Sequence, residues 1–304
     1  MRSIMKRLVV NANSGTVGAP PASMAKTILA AVAVRQRLQL SLGDRAELGE
    51  ESLVGADRRA FVASTRDGGI AVVVTLHQAP PGGPDPDAMQ SRVSRLRELE
   101  HGVVDVPLAA GNLDGHAWVM EAVSLLPSAR DRLAAGRVPL AEGVSAIRDL
   151  ARALAALHRR GITHGAIDLQ TVRIGSAGLR LGGVGQTLGG SVRDDLDALG
   201  EVAWSLLSGE VERRSARPLS TIRRGVAPSL DALCAHLRAP DPRHRPQRAE
   251  AVLDALDAVP TRRSSPLGSI VDVGVHDVRP PRGVAWLVVG AAILLLLALL
   301  QSRV

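Results

Sequence analysis

The sequence predicts an α+β protein with two lobes, followed by one C-terminal transmembrane helix. Residues 47–74 and 103–123 contain short apolar runs separated by turn residues, which is typical of a β-rich first lobe. From Pro139 onward, apolar residues recur every three or four positions, which is typical of a helical second lobe. An uncharged apolar run over residues 283–300 predicts the membrane helix.

The first lobe is predicted to be a small antiparallel sheet with one inserted helix. Residues 47–74 predict two or three strands, with a hairpin turn at Asp67-Gly68-Gly69. Residues 89–101 place apolar side chains at helical spacing, so a helix interrupts the sheet. Two further strands are predicted over residues 103–108 and 116–123.

The second lobe is predicted to contain two long helices and two short ones. Apolar residues at helical spacing lie between Val144 and Leu157 and again between Leu196 and Leu206. The short helices are predicted over residues 229–237 and 249–258. The resulting organisation is a flexible tail over 1–44, a first lobe over 45–122, a second lobe over 123–258, a linker over 259–282 and a transmembrane helix over 283–300.

The uncharged run GVAWLVVGAAILLLLALL is 18 residues long. As a helix it would extend about 27 Å, enough to span a hydrocarbon core of about 30 Å. Arg279 and Arg282 precede the run, so the positive-inside tendency places the preceding lobes in the cytoplasm. We therefore expect a single-pass, tail-anchored membrane protein. The apolar run over residues 28–34 is too short and too late for a signal peptide.

Composition excludes some functions and leaves one question open. Aromatic residues make up 1% of the chain, so single-stranded nucleic acid has few rings on which to stack, and no nucleic-acid partner is expected. The single cysteine, Cys234, excludes an internal disulfide and is predicted to pack in a core. The formal charge of +7 is the difference between 37 basic and 30 acidic residues, and all of the basic residues except Lys6 and Lys26 are arginines. This usage fits either a G+C-rich genome or a basic surface for anionic lipid or nucleic acid.

Three blocks occur in a distinctive order. The first is LHRRGITH over residues 157–164, and the second is a predicted helix that begins at Asp195 and ends at Gly209. The third is DPRHRP over residues 241–246. Together they resemble the protein Ser/Thr kinase family over residues 45–258. The resemblance implies a bilobal protein-kinase-like fold, with a small β-rich N-lobe and a larger helical C-lobe.

The family's catalytic loop is similar to HGAIDLQT over residues 164–171. On this match, Ala166 replaces the carboxylate that orients the acceptor hydroxyl, and Thr171 replaces a metal-binding amide. The metal-binding Asp of the family's Asp-Phe-Gly turn falls on Gly183 of GVG. Phosphoryl transfer needs metal ions and a positioned carboxylate, and neither alanine nor glycine supplies an oxygen ligand from its side chain.

The positions that would hold a nucleotide are also changed. The family's glycine-rich phosphate loop aligns with GADRRAFV over residues 55–62 and keeps one of three glycines. The remnant positions are Gly55, Asp57, Ala60 and Val62. The nucleotide-binding Lys falls on Val73, or on Thr75 in a shifted register, and the chain has no lysine after Lys26. The helical Glu that would pair with that Lys falls near Arg92.

The resemblance assigns structural roles to three residues. His164 is expected to pack with Leu96 and Val184, and Asp195 to accept hydrogen bonds from loop backbone near His164. The segment GVG over residues 183–185, called the degenerate turn below, is separated from Asp195 by nine residues, 186–194. The family's activation segment and peptide platform are therefore interpreted as deleted. Arg245 would then lack the Glu partner that it has in the family.

The favoured hypothesis is a membrane-anchored pseudokinase that binds or scaffolds a protein partner in signalling. Neither ATP nor Mg²⁺ is expected as a cofactor, and no metal site is predicted. One alternative is a divergent active Ser/Thr kinase that uses Asp168, Glu98 or Glu100. The other is a module that binds anionic lipid through Arg213-Arg214 and Arg223-Arg224. A solvated face is the simpler interpretation of these arginine pairs.

Overall fold

The computed structural model of the chain describes residues 33–53, 58–99, 101–211 and 217–258. Several predicted features lie outside these ranges: most of the N-terminal tail, Gly55, Asp57, Glu100, Arg213, Arg214, the linker and the segment 283–300. None of the helices within the described ranges combines the length and the hydrophobicity that a bilayer crossing requires.

The N-lobe is built on a five-stranded antiparallel sheet with the strand order β1-β2-β3-β5-β4. The strands are β1 (Ala46–Leu53), β2 (Arg58–Thr65), β3 (Ala71–His77), β4 (Ala109–Leu113) and β5 (His116–Ala122). The turn between β2 and β3 lies where the sequence predicted it. In this turn, the Ile70 N–H donates to the Thr65 hydroxyl over 3.1 Å.

The strand predicted over residues 103–108 is wrong. These residues form a loop, and β4 begins only at Ala109. The loop pairs instead with the C-lobe, because Asp105 N–H donates to the Leu181 carbonyl over 2.8 Å and Leu181 N–H donates to the Val103 carbonyl over 2.7 Å. Pro107, which has no N–H for a sheet ladder, favours the loop.

Residues 33–42 form a helix, α1, so the flexible tail predicted to residue 44 is wrong for this part. Leu38 and Leu42 are fully buried in the hydrophobic cluster on one face of the sheet. The side-chain amide of Gln39 donates to the Ala46 carbonyl and accepts from the Leu48 N–H, both over 2.8 Å. It therefore bonds to backbone groups of β1 that a neighbouring strand would otherwise bond. Helix α1 therefore covers both the apolar face and the open edge at β1.

Helix α2 (Pro86–Arg97) is the inserted helix of the N-lobe. Asp85 caps its first turn by accepting hydrogen bonds from Asp87 N–H and Ala88 N–H, and Pro86 occupies the first turn. Its buried face carries an arginine, Arg92, among apolar residues. A buried arginine on an apolar helix face requires partners, and these lie in the C-lobe.

The C-lobe consists of helices around one aliphatic core and a short hairpin. Its helices are α3 (Ala129–Ala135), α4 (Leu140–Arg159), α5 (Val192–Ser208), α6 (Leu219–Ile222), α7 (Pro228–Leu237) and α8 (Ala249–Asp257), and its hairpin strands are β6 (Val172–Gly175) and β7 (Gly178–Leu181). A capping box of Ser191 and Asp194 starts α5, and Gly209, with φ of 79°, ends it. Helices α3 and α6 were not predicted, because they are too short to show periodicity.

Candidate functional site in the interlobe cleft

Asp195, in the first turn of α5, binds the backbone of residues 164–171, the catalytic-like loop. Its carboxylate accepts from His164 N–H over 2.8 Å, from Gly165 N–H over 2.7 Å and from His158 Nε2–H over 2.8 Å. Burial by itself would raise the pKa of Asp195, but these hydrogen bonds outweigh it and lower the pKa below the usual value. Asp195 is therefore an ionised anchor of the loop.

His164 is fully buried and makes hydrogen bonds through both ring nitrogens. Ala166 N–H donates to Nδ1 over 3.2 Å, so the ring proton is on Nε2, which donates to the Gly182 carbonyl over 3.0 Å. Burial lowers the pKa of His164 and keeps it neutral. Leu96 and Val184 are also fully buried, in the main hydrophobic core. The ring joins the catalytic-like loop to the end of β7.

Ala166 and Thr171 lie together at the surface of this loop. The Thr171 hydroxyl lies 3.3 Å from the Ala166 carbonyl and accepts from Asp168 N–H over 2.9 Å. Asp168 Oδ1 accepts from the amides of Gln170 and Thr171, each over 2.8 Å, and so caps a turn. This geometry gives Asp168 a structural role within the loop.

Gly183 follows β7 and lies against the Thr171 side chain. It has a φ of 77°, which favours glycine, and a Cβ there would lie 3.2 Å from Thr171 Cγ2. Ala166 and Gly183 are thus both neighbours of Thr171. Within the described ranges, no three His, Cys, Asp or Glu side chains group closely enough to hold a metal ion.

Arg92 reaches from α2 into the C-lobe. Its Nη2 donates to the Val184 carbonyl over 2.9 Å and also to the Thr163 carbonyl, and its Nε donates to the Val184 carbonyl over 3.1 Å. Burial lowers the pKa of Arg92, and neighbouring Arg95 adds to this effect. Glu98, in contrast, is exposed and lines a surface pocket with Arg159 and Arg160 outside the cleft.

A row of side chains crosses the sheet where a nucleotide-binding Lys would be expected. Val73 is directly opposite Val62 on β2 and Glu121 on β5, so these three residues share one face. Ala60 is likewise opposite Thr75. The Gln186 amide donates from the C-lobe to the Glu121 carboxylate. Burial raises the pKa of Glu121, and the hydrogen bond from Gln186 offsets part of this rise.

Glu121 and Gln186 were missed by the sequence interpretation. The available signal was a single acid in the apolar strand AWVMEA of β5. An ionisable residue in such a strand requires a partner when the fold buries it. Its partner could not be identified, because Gln186 follows the degenerate turn 65 residues later.

The short segment after the turn packs directly on the catalytic-like loop. The Thr187 hydroxyl donates to the His164 carbonyl over 2.9 Å. Gly165 and Gly190 both have positive φ, and a Cβ on Gly190 would lie 2.7 Å from Gly165 Cα. The backbone after the turn is therefore in direct contact with the loop at Gly165, next to Ala166.

Solved structures share this arrangement of lobes. The kinase domain of PknI from Mycobacterium tuberculosis aligns over 70% of this chain and 95% of its own, with a TM-score of 0.56 and 19% identity. Rad53 1–466 in complex with AMP-PNP aligns over 72% of this chain and 67% of its own, with a TM-score of 0.57 and 14% identity. The chain has a protein-kinase-like fold. No protein-family model and no curated protein matches its sequence.

In this kinase-like fold, Arg245 has partners that the sequence interpretation did not find. Its Nη1 lies 2.6 Å from Asp197 Oδ1 on α5, and its Nε donates to the Ala239 carbonyl over 2.7 Å. The acidic partner of Arg245 is therefore an aspartate of α5, and this contact gives Arg245 the structural role that the sequence left unexplained. The DPRHRP turn is joined to the central helix of the C-lobe through this pair.

Of the two arginine pairs, Arg223-Arg224 lies within the described ranges, and its two members have different surroundings. Arg223 donates to the Leu207 carbonyl over 2.9 Å and to the Val138 carbonyl over 2.7 Å, so it caps the end of α5, whereas Arg224 is exposed.

Burial raises the pKa of Cys234 to about 12, which leaves an unreactive thiol in the core.

Proposed function

We propose that this protein is a pseudokinase, a kinase-like module that binds a protein partner without transferring phosphate. The observation that carries the proposal is how the carboxylates around the cleft are used. Each is engaged within the chain: Asp105 with Arg180, Glu121 with Gln186, Asp168 with its own turn, and Asp195 with the loop backbone.

Phosphoryl transfer depends on positioning and on charge compensation, with carboxylates that bind metal and orient the acceptor. At the three places where the resemblance expects oxygen ligands, the chain has Ala166, Thr171 and Gly183. A threonine hydroxyl that already bonds the loop backbone is a weak substitute for an amide and two carboxylates. These facts support the absence of catalysis and of bound ATP and Mg²⁺.

We further propose that residues 283–300 anchor the module in a membrane, with the lobes on the cytoplasmic side. Only a protein partner is proposed, because the scarcity of aromatic residues argues against nucleic acid. At a membrane, a non-catalytic kinase-like module would serve as a scaffold for a signalling assembly.

The test is a phosphotransfer assay together with thermal unfolding, on a fragment of residues 30–262 that retains α1. A ligand that binds only the folded state must raise the unfolding midpoint. We expect no labelled phosphate in the products and no shift with ATP, with or without Mg²⁺. Phosphate incorporation that Asp168→Ala abolishes would overturn the proposal in favour of a divergent kinase.

A further inference from the structure

The two lobes are connected across the cleft by side chains of the protein itself. Arg92 and Glu121 belong to the N-lobe, and their partners Thr163, Val184 and Gln186 belong to the C-lobe. We propose that Arg92, Glu121 and Gln186 form an interlobe lock that holds the lobes closed without a nucleotide. This inference rests on the proposed pseudokinase function, because it gives the degenerate cleft a structural task.

The central part of the lock is the peptide group between Thr163 and His164. Its carbonyl accepts from the Arg92 guanidinium, and its N–H donates to the Asp195 carboxylate over 2.8 Å. One peptide dipole therefore lies between a cation of the N-lobe and an anion of the C-lobe, oriented favourably toward both. Hydrogen bonds linked in this way polarise and strengthen one another.

The burial of Arg92 makes this arrangement demanding. Only 4% of the residue is exposed, and its described hydrogen bonds all go to carbonyls of the C-lobe. A buried guanidinium requires such partners, and charge-assisted hydrogen bonds are stronger than neutral ones. Because the two carbonyls lie on separate C-lobe segments, the orientation of α2 is fixed relative to both.

A second connection lies on the sheet side of the cleft. Gln186 donates to Glu121, which is paired with Val73 in the sheet. Nearby, Gly185 packs so closely under Pro107 that a Cβ would overlap that ring. The lock thus acts on α2 and on β5, and a protein partner would meet the two lobes in one fixed relation.

The test measures the distance between the lobes in the full-length chain in detergent micelles. Spin labels on Glu47→Cys in the N-lobe and Arg224→Cys in the C-lobe use two exposed positions, whereas Cys234 is 2% exposed, so the core shields it from the label. We expect one narrow distance distribution that ATP and Mg²⁺ do not change. Arg92→Met should broaden it, and hydrogen exchange at the His164 and Gly165 amides should accelerate by about tenfold or more.

Arg95→Met is the matched control, because Arg95 is exposed on the same helix. It should leave both the distances and the exchange rates unchanged. If Arg92→Met does not fold, Arg92→Lys and Gln186→Leu carry the test, and each should broaden the distribution. Distances and exchange like those of the parent in the folded variants would overturn the lock. Phosphate transfer by the parent would instead overturn the proposed function.

Discussion

At the scale of single residues, the site is a set of charges that hold backbone in place. Asp195 accepts from two successive amides of the catalytic-like loop and from His158. Glu121 is the opposite case, because burial raises its pKa and one amide hydrogen bond lowers it only in part. The two carboxylates are therefore expected to respond differently to neutralisation.

Asp195→Asn should lower the free energy of unfolding by about 3 kcal/mol, because it replaces a buried carboxylate with an amide that cannot accept all three hydrogen bonds. Urea unfolding of the 30–262 fragment measures the change. Asp254→Asn is the control, since Asp254 is exposed on α8. Equal effects of the two substitutions would contradict the anchoring role of Asp195.

Glu121→Gln should change the pH dependence of stability. The folded-state pKa of Glu121 is raised, so this carboxyl stabilises the fold when it is protonated. That contribution is lost as the pH rises from the unfolded-state pKa of about 4.3 through the raised folded-state pKa. The glutamine variant should gain stability relative to the parent as the pH rises through this window. Urea midpoints across that range measure the difference, and a difference independent of pH would contradict the prediction.

At the scale of elements, helix α1 is part of the N-lobe. Leu38 is fully buried against the sheet, whereas Leu40, two residues later, is 80% exposed. Arg35 extends the same contact by donating to the Leu48 carbonyl over 2.7 Å. A fragment that begins after residue 42 would leave one sheet face and the β1 edge uncovered.

Leu38→Ala should therefore destabilise the 30–262 fragment by about 2–5 kcal/mol, because it removes a buried side chain and leaves a cavity. Leu40→Ala is the matched control on the same helix and should change stability by less than about 0.5 kcal/mol. Chemical denaturation measures both variants. Similar losses would mean that α1 does not pack on the sheet in solution.

At the scale of the whole molecule, we propose a closed kinase-like module that is joined to a membrane anchor. Deletion of residues 283–300 should move the protein from the membrane fraction to the soluble fraction of lysed cells, because this run supplies the uncharged length that a bilayer crossing needs. Leu38→Ala in the full-length chain, which weakens the N-lobe alone, should leave the fractionation unchanged. A deleted protein that stays with membranes would contradict the anchor.

The sequence by itself determined the order of the lobes and the long helices of the C-lobe. It could do so because helical periodicity and the three kinase-like blocks are local patterns, each of which lies in one short continuous segment of the sequence. The same locality explains why the hairpin between β2 and β3 was predicted at its observed place.

Only the tertiary structure decided what connects these parts. Arg92 meets the Val184 carbonyl 92 residues later, and Glu121 meets Gln186 across 65 residues. Arg245 pairs with Asp197, and α1 packs on the sheet. No periodicity or residue spacing in the sequence predicts either contact. Side-chain partners of this kind depend on how the lobes pack, because burial, not sequence proximity, makes a hydrogen bond to a charged group necessary.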